Sequence, residues 1–125
     1  MSAARTTKNR GTTAQERRKQ VRVSIQNVSV EVYSPQGVPV SQEMCDVVNI
    51  SAGGMLFRTT HPYDLSQQVR LAFKLPASPV IVHSDAKVVH WHVAADGKFV
   101  GVQFGNLGAP DRTAVESYVK RMQDN

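Results

Sequence analysis

The sequence predicts a mainly β fold, a six-stranded antiparallel barrel with a C-terminal α-helix and a flexible N-terminal arm. From Val21 onward, β-branched and polar residues alternate with a period of two, and short segments containing Pro, Gly or Asp separate the alternating runs. A helical period appears only after Gly108. Because closure of a sheet leaves no exposed strand edge, six short strands in a chain of 125 residues favour a small barrel.

The N-terminal arm differs from the rest of the chain in both hydrophobicity and charge. Residues 1–16 contain almost no large apolar side chain, so we expect a disordered basic arm there and a folded domain over residues 17–125. Residues 1–22 hold seven Lys or Arg against one acidic residue, whereas residues 23–125 hold eight against nine. A basic arm on a nearly neutral domain indicates an anionic partner, although a merely solvated tail has the same composition.

The first predicted strand contains a change of phase. Apolar residues alternate on one face over residues 21–25, and the alternation continues over residues 28–32 shifted by one position. This shift predicts a β-bulge near Gln26 and Asn27. A turn is expected at residues 34–37, where Pro and Gly follow the strand.

Five further strands are expected at residues 43–50, 54–60, 69–75, 80–93 and 98–104. The last two are joined by a segment that contains Asp96-Gly97, a strong signal for a tight hairpin. Pro76 and Pro79 indicate a loop before the longest strand, because proline is excluded from strand interiors. The helix is expected to begin near Pro110 and to bury one face, formed by Val115, Tyr118, Val119 and Met122.

The composition argues against several classes of protein. No apolar run approaches the length of a membrane helix or a signal peptide, so we expect a cytoplasmic protein. The single cysteine, Cys45, has no partner for an internal disulfide and is expected to be a small buried hydrophobe. Cys45 has no obvious paired histidine, and Ser51 has no general base in its own segment. We therefore expect no enzyme activity.

The first motif that indicates chemistry is the basic run Arg17-Arg18-Lys19-Gln20-Val21-Arg22, at the junction of the arm and the first strand. Guanidinium groups form planar forks that match phosphate oxygens and the edge of guanine, and they stack on flat rings. Arg18 and Arg22 straddle the start of the strand and could hold one ligand between them. In isolation the motif is weak, since a solvated basic junction has the same residues.

The second motif is Asn49-Ile50-Ser51-Ala52-Gly53-Gly54, between two predicted strands. Asn49 and Ser51 each offer a hydrogen-bond donor and an acceptor. Glycines in a strand-to-strand turn allow a flat ring to approach the backbone. An ordinary tight turn would have a similar composition, so this segment alone decides nothing.

Taken together, the two motifs resemble those of the PilZ family, whose members bind the bacterial second messenger cyclic di-GMP. An Arg-x-x-x-Arg run at residues 18–22 is followed by Asn-x-Ser-x-x-Gly at residues 49–54. The resemblance covers residues 17–122 and includes the apolar segments 88–91 and 100–104. It implies a six-stranded antiparallel barrel with a C-terminal helix, in agreement with the pattern of strands.

The resemblance also implies a set of ligand-binding residues, carried over by position: Arg17, Arg18, Arg22, Asn49, Ser51, Gly53 and Gly54. Arg18 and Arg22 match the family arginines that hold guanine and phosphate. Arg17 stands where the family residue is associated with binding one ligand or a stacked pair. Asn49 stands where many members have Asp, and its neutral amide loses a charge-assisted contact with guanine N–H groups.

The function implied is a cyclic di-GMP receptor without a cofactor, which orders its arginine arm around the ligand and signals to a partner protein. Two alternatives stay open: a ligand-independent protein adaptor, and a nucleic-acid binder that uses the basic arm. Nucleic-acid binding would weaken steeply with salt, and few aromatic residues are available for base stacking. The sequence leaves open whether the protein is a monomer or a dimer.

A histidine-rich segment between residues 83 and 92 raises the possibility of a metal site. His90 and His92 are expected on the same strand face, with His83 and Asp85 earlier in the strand. No third ligand is close in sequence to the two histidines, so we expect no metal site. Trp91 is expected on the opposite face, in the core.

Overall fold

The computed structural model describes residues 21–40 and 44–124, and it confirms the mainly β class, the closed six-stranded antiparallel barrel and the C-terminal helix. The elements are β1 (Val23–Ser24), β2 (Ser29–Tyr33), β3 (Cys45–Ser51), β4 (Gly54–Thr59), β5 (Gln68–Lys74), β6 (Ile81–Ala94), β7 (Gly97–Phe104) and α1 (Ala109–Gln123). The expected arm over residues 1–16, together with Arg17 and Arg18, lies outside the described residues.

The barrel closes through six strands in the order β3-β2-β5-β6-β7-β4, with β4 pairing again with β3. Every neighbouring pair is antiparallel. The short strand β1 pairs with the end of β3, on the edge that β2 occupies further along, so β1 and β2 are the two halves of the first predicted strand.

The break between these halves confirms the predicted change of phase. Asn27 has a φ of 63°, in the left-handed region, which asparagine tolerates better than most residues. On either side of the break the Ile25 amide donates to the Val48 carbonyl oxygen, and the Val47 amide donates to that of Val28. The chain therefore stays bonded to β3 while its side-chain alternation shifts by one.

The core is formed by the inward-facing apolar residues of the six strands and by one face of α1. The largest fully buried side chains include Phe57, Ile50, Met55 and Leu71. On the helix, three of the four predicted residues are buried, namely Val115, Tyr118 and Val119. Met122 is 39% exposed, so the buried face is one turn shorter than predicted. The helix contacts β1, β3 and β6, beside the β3–β4 turn.

The expectation that Trp91 lies in the core is wrong. Pairing of β6 with β5 ends at Lys87, and β6 then continues with β7 alone into a projecting hairpin. Trp91 lies in this projecting part and is 46% exposed, with the Lys98 ammonium nitrogen 4.7 Å from the centroid of its ring. A strand that continues past the end of the barrel has no core for its inward-facing residues to enter.

Within the described ranges, no helix combines the length and the apolar character needed to cross a membrane.

Candidate ligand-binding site

The structure brings together residues from the two sequence motifs. Arg22 directly precedes β1, and β1 places Ser24 opposite Asn49 in the β1–β3 register. The exposed Arg22 Nη1 donates a hydrogen bond to Asn49 Oδ1 at 3.2 Å. Because Ile50, next in β3, is fully buried, Asn49 faces outward. The last arginine of the basic run therefore lies on the outer barrel wall, against the first residue of the second motif.

The hydroxyl of Ser51 holds the turn between β3 and β4. Ser51 Oγ accepts a hydrogen bond from the Gly53 amide at 3.2 Å and donates one to the Gly54 carbonyl oxygen at 3.4 Å. The side chain is almost completely buried, with 1% of its surface exposed. The Gly53 carbonyl oxygen accepts a hydrogen bond from the Phe104 amide at 2.8 Å, which connects the turn to the end of β7. Ser51 is thus in a position to shape the site rather than to line it.

Gly54 lies at a close approach of two strands. A Cβ atom built at this position would overlap the backbone carbonyl oxygen of Val102 on β7. Only glycine fits this spacing without moving β4 and β7 apart. The glycine therefore sets the distance between the two strands behind the turn.

A cross-strand row extends the site across the barrel wall. The registers place Asn49 opposite Leu56, Leu56 opposite Gly101, and Gly101 opposite His90, on strands β3, β4, β7 and β6. The ring of His90 covers Gly101, where a Cβ atom would overlap it. The His92 ring lies two residues further along β6, nearly parallel to the His90 ring, and the two ring centroids are 6.3 Å apart.

His90 lies on this part of the wall, although the sequence indicated it only as a metal ligand or as an outward-facing or partly buried histidine. The signal for it lies in the hairpin. Counting back from the tight turn that joins Ala94 to Gly97 pairs His90 with Gly101. A ring beside a residue without a side chain is exposed on the sheet surface and available for stacking.

The electrostatics place Arg22 near His90 as well as near Asn49. Partial burial lowers the pKa of His90, and the positive charge of Arg22 and then that of His92 lower it further. The imidazole is therefore neutral at neutral pH. The wall offers a guanidinium group, an amide and a flat neutral ring within one region, which suits an anionic ligand that carries planar rings.

The other residues singled out in the sequence lie elsewhere. His83 and Asp85 face outward on the wall formed by β2, β5 and β6, apart from His90 and His92. No group of three His, Cys, Asp or Glu side chains within residues 21–40 and 44–124 is arranged to hold a metal ion. Cys45 is buried in β3, as expected.

Two cavities among the described residues can be compared with the position of the predicted ligand residues. A groove of about 510 Å³ lies on the β2–β5–β6 wall, between Tyr33, Arg70 and Asp85, and contains none of the predicted ligand residues. A smaller cavity of about 180 Å³ adjoins the β3–β4 turn and is lined by Gly53 and Arg112. The predicted site is thus an open wall beside the smaller cavity rather than an enclosed pocket.

Comparison with known proteins identifies the fold and the family. The sequence model of the PilZ domain family matches residues 16–121 of the chain. The chain belongs to the PilZ domain family. Both sequence motifs and the whole barrel fall within the matched range. Among curated protein sequences, no relative of this PilZ domain is found.

Solved structures of PilZ-domain proteins share the fold. The inhibitor of motility MotI/DgrA of Bacillus subtilis superposes with a TM-score of 0.73 at 19% identity, over 86% of this chain and 51% of that one. YcgR of Escherichia coli in complex with c-di-GMP superposes with a TM-score of 0.70 at 12% identity, over 86% of this chain and 46% of that one. The MrkH–c-di-GMP complex of K. pneumonia superposes with a TM-score of 0.65 at 16% identity, over 84% of this chain and 52% of that one. This PilZ domain spans about half the length of these proteins.

Proposed function

We propose that this PilZ domain is a cyclic di-GMP receptor that passes the signal to a partner protein. The ligand would lie on the barrel wall, between the arginines of the arm and the β3–β4 motif. The observation that carries the proposal is the hydrogen bond from Arg22 to Asn49, which joins the two motifs at one place on the wall. The c-di-GMP complexes of YcgR and MrkH support it, since both proteins share the fold.

The chemistry of the wall fits this ligand. Cyclic di-GMP carries two phosphates and two guanines, and guanidinium groups bind both. Arg22, with Arg17 and Arg18 from the arm, would hold phosphate and guanine edges. Asn49 would accept from guanine N–H groups, and the ring of His90 would stack on a guanine face.

The remaining predicted residues would act through the shape of the turn. Ser51, Gly53 and Gly54 are joined by the hydrogen bonds of the Ser51 hydroxyl. We assign Ser51 the role of a positioning residue, because its hydroxyl is already used inside the turn. Gly53 and Gly54 would present a backbone surface without side chains, which a guanine ring can approach closely.

The response would be ordering of the arm around the ligand. A ligand that contacts the arm only in the ordered state shifts the equilibrium toward that state. Ordering costs free energy, so the affinity should be moderate. The reshaped surface around the arm would then bind the partner protein, and the domain would act as a receptor without catalysis.

Titration calorimetry with cyclic di-GMP tests the proposal, with GMP and cyclic di-AMP as control ligands. We expect saturable binding of cyclic di-GMP alone, at a stoichiometry that distinguishes one ligand from a stacked pair. Binding should persist with only modest loss at high salt, whereas a nucleic-acid interaction through the arm would weaken steeply. No detectable heat at several temperatures would contradict the proposal and favour a ligand-independent adaptor.

A further inference from the structure

The cavity of about 180 Å³ lies between the β3–β4 turn and the first half of α1. The turn lines it with Ala52 and Gly53, and the helix lines it with Arg112 and Glu116. Pockets that enclose a whole small molecule have volumes of about 300–1,000 Å³. This cavity is smaller, so it suits one part of a ligand whose remainder lies outside it.

Backbone and side-chain hydrogen bonds fix the walls of the cavity. The Gly105 amide, after the end of β7, donates to the Asp85 carbonyl oxygen at 2.7 Å. On the helix side, Asp111 Oδ2 accepts a hydrogen bond from the His83 amide at 3.3 Å, which attaches the start of α1 to β6. The turn, the end of β7 and the helix therefore form the cavity without a ligand.

The helix presents one cation and one anion to this space. Arg112 and Glu116 are both exposed and lie four residues apart, on one face of α1. Within residues 21–40 and 44–124 neither side chain forms an ion pair. The Arg112 guanidinium donates to the Leu107 carbonyl oxygen at 3.5 Å, which is long for such a bond. Most of its donors, and the oxygens of Glu116, are therefore available to a ligand.

A guanine base matches this pair of side chains. Its O6 and N7 atoms accept hydrogen bonds from a guanidinium fork, and its N1–H and 2-amino groups donate to a carboxylate. Adenine carries a donor at position 6 and has neither the N1–H nor the 2-amino group. Gly53 and Gly105 line the cavity without side chains, so a flat ring can lie against the backbone there.

We propose that the cavity holds one guanine of the messenger, with Arg112 at its O6 and N7 atoms and Glu116 at its N1–H and 2-amino groups. The inference rests on the proposed function and adds to it the side chains that select guanine at one of the two bases. Gly53 lies four residues after Asn49, a span of at most about 13 Å in an extended chain. A ligand with one base in the cavity can therefore extend to Asn49 and Arg22 on the outer wall.

Titration calorimetry of the full chain with cyclic di-GMP and cyclic di-IMP tests the proposal. Cyclic di-IMP carries hypoxanthine and lacks only the 2-amino group of each base. The parent should prefer cyclic di-GMP. Glu116→Ala should reduce this preference by about fivefold or more, because it removes the charged acceptor for one 2-amino group.

Arg112→Ala should weaken the binding of both ligands by about tenfold, since both carry O6 and N7. The control is Arg121→Ala, which removes the same charge from the same helix at an exposed position that does not line the cavity. The control should bind both ligands like the parent. All three variants should unfold at the parental temperature, because alanine favours an exposed helix position.

The failure of this inference can be distinguished from the failure of the proposed function. Parental affinity in Arg112→Ala, or an unchanged ligand preference in Glu116→Ala, would overturn the guanine subsite and leave the receptor proposal in place. A parent that binds both ligands equally would overturn the subsite as well. A parent that binds neither ligand would overturn both proposals.

Discussion

The ring of His90 lies over the backbone of Gly101, its register partner on β7. A side chain at position 101 would occupy the space that the imidazole fills. The three atoms nearest to a Cβ at Gly101 all belong to the His90 ring, which can rotate away. The position of this ring is therefore set by the absence of a side chain on the neighbouring strand.

Gly101→Ala should displace the His90 ring while leaving the barrel intact. We expect cyclic di-GMP binding to weaken by about 1 kcal/mol or more, the free energy associated with stacking one base on a ring. The unfolding temperature should change little. Calorimetric titration and thermal unfolding measure the two effects, and His90→Ala should reproduce the loss of affinity. Unchanged affinity in both variants would remove His90 from the site.

Gly54→Ala should destabilise the protein, because the added methyl meets the backbone of Val102 rather than a movable side chain. Overpacking of this kind costs about 1–3 kcal/mol in the free energy of unfolding. Gly105→Ala is the matched control, since its Cβ would lie 3.4 Å from Asp85, in ordinary van der Waals contact. Denaturant unfolding of the two variants compares the costs. Equal stability would contradict the steric account of Gly54.

Arg22→Ala and Arg18→Ala should each weaken cyclic di-GMP binding by about 2–5 kcal/mol, the cost of truncating one partner of a buried, charge-assisted contact. Arg70→Ala serves as the control. Its guanidinium lies 3.2 Å from Asp85 on the β2–β5–β6 wall, in an exposed ion pair of little energetic weight. Titration calorimetry of the three variants gives the comparison. Retention of parental affinity in both the Arg18 and the Arg22 variant would be inconsistent with the proposed receptor.

Asn49→Asp should strengthen binding by about 1 kcal/mol, because a carboxylate makes charge-assisted hydrogen bonds to guanine N–H groups. Asn49→Ala should weaken it, since the acceptor for Arg22 is also lost. Titration of both variants under the same salt conditions measures the difference. Weaker binding by the Asp variant would mean that its ion pair with Arg22 competes with the ligand.

The affinity for cyclic di-GMP should rise as the pH falls. Burial, the Arg22 charge and His92 lower the pKa of His90 in the free protein. A phosphate bound beside Arg22 offsets that charge and raises the pKa again, so binding takes up a proton in the range between the two values. The gain is at most about tenfold per pH unit. Titrations from about pH 7.5 to 5.5 should show it, and His90→Gln should remove the His90 component.

Much of the barrel could be predicted from local patterns, because alternation and turn residues act over a few positions. The phase shift near Asn27 illustrates this, since an apolar period that slips by one requires a break in the strand. The Asp96-Gly97 signal likewise predicted the β6–β7 turn. Both features depend on neighbours in sequence rather than on distant contacts.

Trp91 could not be placed from alternation, because the pattern gives a face of the strand but not where the barrel ends. The end depends on where pairing with β5 stops, at Lys87, which is a long-range property. A register shift between Val88 and His90 also changes the phase of the strand just before Trp91. Met122 is exposed for a similar reason, because the length of the buried helix face depends on the barrel beneath it.

The residues of the proposed site could be selected from the sequence, but the contacts that they make could not. The spacing of Asn49, Ser51 and Gly54 identified the turn, yet only the structure shows the Ser51 hydroxyl bonded within it. Arg17 and Arg18 lie outside the described residues, and their part in binding stays a prediction.

The strand β1 is only two residues long and is joined to β3 through Val23 opposite Ile50 and Ser24 opposite Asn49. Opening so short a segment costs much less free energy than unfolding the barrel, and amide hydrogen exchange would detect the two processes separately. In the proposed receptor, the affinity for the ligand includes the free energy of closing these two pairs. The concentration of messenger at which the receptor responds is then adjustable at the exposed Ser24, whereas a change at Val23, which packs against the core, also alters the stability of the barrel.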